Sequence, residues 1–496
     1  MRAVQLMFDT LSRWALSPYS GLCAETPNFA RLAARSCTFD RFYIGSTPCM
    51  PARRELHTGQ YNFLHRSWGP LEPYDFSCPQ ALGDAGIYTH LVTDHSHYWE
   101  DGGATYHTRY SSWEGFRGQE GDRWAPRDRV RELPAGLSPL QKTKGPSPLQ
   151  HEANARRMHA DARRAGEPWE AEMPSVKTVT AGIDFLHNHA SCDNWFLQIE
   201  CFDPHEPFLV PQRYRERCGL SERVRLNWPA YAAVDVAAHT DELDVCRREY
   251  TALVSMCDNL VGRVLDAFDE FGLWDDTLLV VNTDHGFLLG EHGYLGKNFW
   301  PMHQEVAHLP FFLHVPGCAQ GCRRDQLAQT VDVPATLLDW FGLARPEGML
   351  GTSLLPIARD AAAPAPRAHA LFGAHGNHVC ITDGDYVYMR AAARADNEPF
   401  VECTLMPTNM RGFFSASQLR AASLAPGDRH SNGLPYLKMR SRTYMNSYAF
   451  GSSLWDVRAG ERRIDDADIE RRLTGALVGC MRACEAPAEE FERLGL

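Results

Sequence analysis

The chain has 496 residues, too many for one ordinary core, which points to two domains or to one large α/β domain with an appendage. Apolar residues make up 44% and charged residues 23%, the balance of a soluble globular protein, so wholesale disorder and fibrous repeats are excluded. Sixty-two acidic residues against 50 basic ones give a formal charge of −12, and without a basic block neither a nucleic-acid nor a membrane-surface partner is expected.

The N-terminal run RAVQLMF (2–8) is short, apolar and ends at Asp9, as a buried parallel strand does; it is too short for a secretory signal. TPNFARLAARS (26–36) reads as a helix with Pro27 in its first turn. CPQALGDAG followed by IYTHLVTD (87–94) is helix, glycine stop, strand, and NWFLQIECFD (194–203) is another strand. In 246–272, Tyr250, Leu253, Val254, Cys257, Val261, Val264 and Phe268 fall at helical spacing, and the apolar strand TLLVVNTD (277–284) follows. LPFFLHVPG (309–317) and VDVPATLLDWFG (331–342) repeat strand and helix. The alternation predicts an α/β fold, a mostly parallel sheet flanked by helices.

Two regions break the rhythm. Residues from about 100 to 175 are rich in Gly, Pro, Arg and Asp with weak periodicity, which predicts a long surface insertion. AAAPAPRAHA reads as a linker, so a catalytic domain over 1–365 and a smaller C-terminal antiparallel α+β subdomain over 366–496 are expected. In that tail HVCITDGDYVYMR (378–390) is a hairpin turning at Asp383-Gly384, FVECTLMP is a strand, and 464–484 is an amphipathic helix.

The 15 cysteines are odd in number and scattered (Cys23, Cys37, Cys49, Cys78 and onward), and there is no Asn-X-Ser/Thr acceptor. A cytoplasmic, largely reduced protein is the expectation. Cys318 and Cys322 have no second pair to complete a metal knuckle and read as loop cysteines. No stretch of about 18 apolar residues spans a membrane.

The chemistry concentrates in GSTPCMPARRELHTGQY (45–61). Pro51 suits the first turn of a helix, which puts Cys49 at a helix N-terminus, where free amides and the dipole favour anions, with Arg53 one turn along. VNTDHGFLLGEHGYLGKN (281–298) ends a strand at Asp284-His285, and Asp9 ends the first strand; in open α/β sheets ligands bind at such carboxyl ends. CFDPHEPFLVP (201–211) carries His205, and VTDHSHYWE (92–100) carries His95 and His97. His303 and His314 read as ordinary structural histidines.

Cys49-x-Pro51-x-Arg53 followed by Leu56-x-Thr58-Gly59 resembles the sulfatase signature, in which the cysteine is oxidised to formylglycine. Over residues 1 to about 395 the chain resembles the sulfatase and phosphonate monoester hydrolase branch of the alkaline-phosphatase-like superfamily. That resemblance implies an alkaline-phosphatase-like sheet and one divalent metal ion, Mn, Ca or Mg, on Asp9, Asp284, His285 and the oxygen of a modified Cys49. It also implies a formylglycine-generating enzyme for maturation and a small-molecule anionic ester as substrate. A homo-oligomer is expected.

By the same resemblance Arg53, Lys297 and His95 or His97 contact the transferred group, and His205 protonates the leaving group. Two departures stand out: Asp9-Thr10 replaces the usual adjacent acids, and Asp284-His285 replaces Asp-Asn. Both remove negative charge or hard oxygen, and an imidazole suits Mn²⁺ better than Ca²⁺. Sulfate monoester hydrolysis, arylsulfatase-like and promiscuous, is the leading expectation, while both departures favour the alternative. The alternative is a phosphonate monoester or phosphodiester hydrolase, and the remote one a non-catalytic metal- or anion-binding protein.

Overall fold

The structure is a computed structural model and describes residues 1–20, 25–127, 130–220, 225–441, 443 and 445–496. Cys23 lies outside the described residues.

The central sheet has eight strands: β1 (Arg2–Phe8), β2 (Cys37–Phe39), β3 (Tyr88–Thr93), β4 (Ser112–Gly115), β5 (Trp195–Cys201), β6 (Thr277–Thr283), β7 (Phe311–His314) and β8 (Cys322–Arg324). Their spatial order is β8-β2-β7-β6-β1-β5-β3-β4. The run from β6 through β1, β5 and β3 to β4 is parallel, whereas β7 is antiparallel to both β6 and β2. The mostly parallel, helix-flanked sheet is as the alternation of elements predicts. The antiparallel β7 is not legible in that alternation, because an apolar run carries no direction.

The inner strands are apolar on both faces because helices cover both. In β1, Ala3 and Met7 pack into one core and Val4, Leu6 and Phe8 into the other. The helix Thr240–Glu270 supplies Leu253, Cys257, Val261, Val264 and Phe268 to the second core. It begins six residues before the expected span 246–272, in a first turn carrying Asp241 and Glu242, where the helix dipole favours acids.

A second, six-stranded sheet is built from Ser46–Thr47, Ala370–Ala374, Val379–Thr382, Tyr386–Arg390, Ser453–Asp456 and Arg462–Ile464. The helix Ala467–Ala483 covers it with Leu473, Leu477 and Met481. Its short edge strand, Ser46–Thr47, runs directly into the Cys49 segment and pairs with Ala370–Ala374.

The 100–175 segment is more ordered than its composition suggests. Ser112–Gly115 extends the central sheet, and Ser147–Ala165 is a helix. That helix escapes a periodicity search because its buried face is partly polar: Gln150 donates to the Ala125 carbonyl at 2.6 Å and Asn154 to the Asp122 carbonyl at 2.9 Å. It spends its buried positions on holding a loop, so no apolar stripe appears.

Most described cysteines are free, in line with a largely reduced chain, but the reading of Cys322 as a loop cysteine needs correction. Cys37 and Cys322 form a disulfide, because β2 and β8 pair in parallel with these residues opposite one another. Cys318 and the other described cysteines are free. Among the described residues no helix is long and apolar enough to cross a membrane.

Candidate active site

Strand register explains why four distant acidic and basic residues meet. Odd positions of β1 face the first core, so Asp9, one residue past the strand, continues on that side. In β6, Leu278 and Val280 face the same core, which carries Asp284 there too. In β5 the even positions share that face with Phe196, and Glu200 is one of them. Met7 pairs with Glu200 and Phe8 with Thr283, so Asp9, Glu200 and Asp284 lie side by side at the carboxyl ends of the strands. The helix Cys49–Thr58 lies over this face, contributing Met50, Ala52 and Leu56 to the first core.

Cys49 is the first residue of that helix and is buried. Its Sγ lies 3.2 Å from His285 Nε2 and 3.8 Å from Asp9 Oδ1. Burial, and then the charge of Asp9, push the unmodified thiol well above its ordinary range, so as a plain cysteine it stays protonated and unreactive at neutral pH. His285 Nδ1 donates to the Gly286 carbonyl at 3.0 Å, which leaves the Nε2 lone pair facing Cys49.

Arg53 is 1% exposed and meets three carboxylates: Asp9 at 3.0 Å, Glu200 at 2.8 Å and Asp284 at 2.7 Å. It also donates to the Cys49 carbonyl at 3.0 Å. The guanidinium therefore lies beneath the site as its organiser and does not line the cavity. Burial opposes ionisation of Asp9, but Arg53, Lys297 and His285 hold its carboxyl well below the usual carboxylate range.

Thr10 adopts a left-handed backbone (φ 66), rare for a β-branched residue, and this turn aims its N–H at Asp284 Oδ1 at 3.0 Å. Its hydroxyl donates to Asp9 Oδ1 at 2.6 Å and accepts from Lys297 Nζ at 3.0 Å. A hydroxyl thus fills the place where the resemblance leads one to expect a second acid.

Above this floor opens a cavity of about 680 Å³, lined by Cys49, His97, His205 and Lys297 and walled by Trp68 and Tyr231. Lys297 is buried, yet the carboxylates of Glu206 and Asp9 keep it protonated, its pKa raised against the pull of burial. His205 Nδ1 donates to the Glu206 carbonyl, which leaves Nε2 available to the cavity. Burial and the neighbouring Lys297 push His205 well below its ordinary range.

His95 and His97 part company here. His97 lines the cavity, edge-on to Trp68 and 3.0 Å from a Glu100 carboxylate oxygen. His95 is fully buried with Nε2 3.2 Å from Met50 Sδ, and it is not part of the cavity wall. His314 bonds the Arg35 and Trp274 carbonyls and lies elsewhere.

Sequence reasoning missed Glu200, Glu206 and Tyr231, and noted Thr10 only as a missing acid. Glu200 left one signal, since Gln198 and Glu200 are polar residues sharing one face of an otherwise apolar strand. Its Oε2 accepts from Tyr98 at 2.9 Å and from Gln198 at 3.0 Å. Removing it strands a buried guanidinium donor, so Glu200→Ala should lower stability by about 3–5 kcal/mol and Glu200→Gln by less. Urea unfolding checks this, and an alanine variant as stable as the parent would refute the organising role of the pair.

The donor set also suits a divalent cation. Atoms of Asp9, Cys49, Asp284 and His285 lie within 4.8 Å of one another, and Asp9 Oδ2 is buried without a hydrogen bond. Among the ion pairs of the described residues, Asp9, Glu200, Asp284 and Glu206 meet only Arg53 and Lys297 as Lys or Arg partners, a deficit of two positive charges that a divalent ion closes.

Comparison with known proteins identifies the family. A sulfatase family model matches residues 3–343, and a model of the C-terminal region of N-sulphoglucosamine sulphohydrolase matches residues 290–397. An arylsulfatase of Clostridium perfringens is 22% identical over 77% of this chain and 84% of its own. A choline-sulfatase of Rhizobium meliloti is 27% identical over 80% of each chain. In fold, a phosphonate monoester hydrolase of Agrobacterium radiobacter superposes with a TM-score of 0.60 at 19% identity, covering 78% of this chain and 86% of its own. The alkaline-phosphatase-like sheet, the family match across more than half the chain and the sulfatase relatives matched over 80% or more of their own length make this protein a member of the sulfatase family, a hydrolase of sulfuric esters.

Proposed function

We propose that the protein hydrolyses sulfate monoesters at Cys49 after its conversion to formylglycine by a formylglycine-generating enzyme, with one divalent cation held by Asp9, Asp284, His285 and the residue-49 oxygen. The observation that carries this is the position of Cys49: first in a helix, against His285 and Asp9, at the floor of a cavity that Lys297, His97 and His205 also line. An unmodified thiol held protonated there supports the need for the modification. The cation would supply Lewis-acid stabilisation of charge, and the hydrated aldehyde an oxygen nucleophile with a second hydroxyl for product release.

The chain's own residues do the rest. The helix N-terminus, Lys297 and His97 bind the oxygens of the transferred group. Arg53 holds the carboxylates in place and, through the Cys49 carbonyl, the start of the helix. Thr10 couples Asp9 to Lys297. His205, with Nδ1 fixed by the Glu206 carbonyl, manages the proton of the leaving group at Nε2. In the free site Lys297 disfavours its protonation; a bound anion offsets that charge and draws the imidazole back toward the protonated form.

His205→Ala should therefore hurt alkyl sulfates far more than activated aryl esters, by roughly 10²- to 10⁴-fold, because a good phenolate leaves without a proton. Lys297→Ala should weaken all substrates alike. The measurement is kcat/KM over a series of leaving-group pKa values, and equal slopes for both variants would assign the proton to another residue.

A second reading, phosphonate monoester or phosphodiester hydrolysis, rests on Thr10 and His285 standing where acid and amide oxygens are more usual. Both reactions transfer a tetrahedral anionic group. Parallel assays with an aryl sulfate and an aryl phosphonate monoester separate them.

A further inference from the structure

We propose that His292, His303 and Glu461 form a second metal site, for a borderline divalent cation such as Zn²⁺, which fastens the loop carrying Lys297 to the C-terminal sheet. His292 and His303 flank Lys297 at five and six residues' distance, whereas Glu461 sits in the turn between the strands Ser453–Asp456 and Arg462–Ile464. One ligand atom from each of the three lies within 4.8 Å of the others. A Glu461 oxygen is 3.2 Å from His292 Nε2, and its other oxygen is 3.1 Å from His303 Nδ1. Zn–N and Zn–O bonds of about 2.0–2.2 Å set tetrahedral ligand atoms about 3.3–3.6 Å apart, so the spacing already approximates the cage.

Charge points the same way. Glu461 and the adjacent Glu305, 3.3 Å from His292 Nε2, have no Lys or Arg partner among the ion pairs of the described residues. The side chains of His303 and Glu461 are only 3% and 6% exposed, and Trp455 closes one side edge-on to both rings. A carboxylate so far from water needs a compensating positive charge, from protons on the imidazoles or from an ion. Two imidazoles with carboxylate favour Zn²⁺, Ni²⁺ or Co²⁺ over Ca²⁺ or Mg²⁺, which distinguishes this site from the oxygen-rich one at Cys49.

The two rings stack face to face (3.7 Å, 6° between planes), so loading turns one ring about its Cβ–Cγ bond to bring both lone pairs onto the ion. His292 is the ring able to turn, because it stands on an exposed loop residue with left-handed backbone (φ 57), while His303 is buried.

The test is a Zn²⁺ titration of the chelator-stripped full chain at neutral pH by calorimetry, with bound zinc counted after gel filtration. His292→Ala and Glu461→Gln should each weaken one zinc by at least about 100-fold, and Asp284→Ala should leave that zinc in place. His292→Ala changes an exposed loop residue and keeps the test readable should Glu461→Gln fold poorly. Zinc binding of unchanged affinity and count in both variants would overturn the site. So would its complete loss in Asp284→Ala, which would place every zinc at the Cys49 centre. Because His292 and Glu461 lie outside the Cys49 cluster, failure of this site leaves the catalytic assignment standing.

Discussion

Asp284→Ala should strip the protein of its catalytic cation and of its activity together. Asp284 Oδ1 accepts from the Thr10 and His285 amides and Oδ2 from Arg53, so this carboxylate ties both strand ends to the guanidinium. Its loss removes one ligand and one negative charge from a site whose charge deficit attracts the ion. Metal content measured by elemental analysis should fall from about one ion per chain at this centre to near none. The corresponding fall in kcat/KM should be at least about 10³-fold, since Lewis-acid stabilisation is worth several kcal/mol. A variant that kept the ion at unchanged affinity would remove Asp284 from the ligand set. Reconstitution of stripped parent protein adds a ranking: His285 Nε2 facing Cys49 favours Mn²⁺ over Ca²⁺.

What the sequence reveals and what it hides follow from range. The β1 strand, the hairpin at Asp383-Gly384 and the helix ending near 483 are legible because their signals are local: an apolar run, a turn pair, a 3.6-residue period. Asp9, Cys49, Asp284 and His285 are legible as a group because each follows a strand end or begins a helix, where this fold places its ligands. Glu200 was not, although it is as close to Arg53 as Asp284 is, because a glutamate within a strand carries no motif. The Cys37–Cys322 bridge depends on the pairing of two three-residue strands 285 positions apart, which no local pattern encodes. His95 and His97 could not be told apart in sequence, because alternation at a strand end stops where the backbone leaves the sheet. Residues Ser96–Trp99 turn into a short 3₁₀ segment that sends His97 to the cavity and leaves His95 against Met50 and Phe202.

The sharpest expected result concerns residue 49 itself. In active protein a peptide spanning 45–61 should show a residue that has lost one sulfur and two hydrogens and gained one oxygen, by mass spectrometry. Cys49→Ala should fold normally and lower turnover by roughly 10⁵- to 10⁶-fold, the scale of deleting a hydrolase nucleophile. Cys49→Ser discriminates further, because a serine offers one hydroxyl where the hydrated aldehyde offers two. It can accept the transferred group but has no second hydroxyl with which to expel it, so release of the group would require attack at sulfur. The serine variant should therefore liberate about one equivalent of phenol per chain from an aryl sulfate and then stall, the burst pattern of a trapped covalent enzyme. Protein produced without a formylglycine-generating enzyme should be inactive with its thiol intact, as the buried, protonated Cys49 predicts. Full steady-state activity with only unmodified cysteine at this position would end the formylglycine assignment, and sustained turnover by Cys49→Ser would end the requirement for the second hydroxyl.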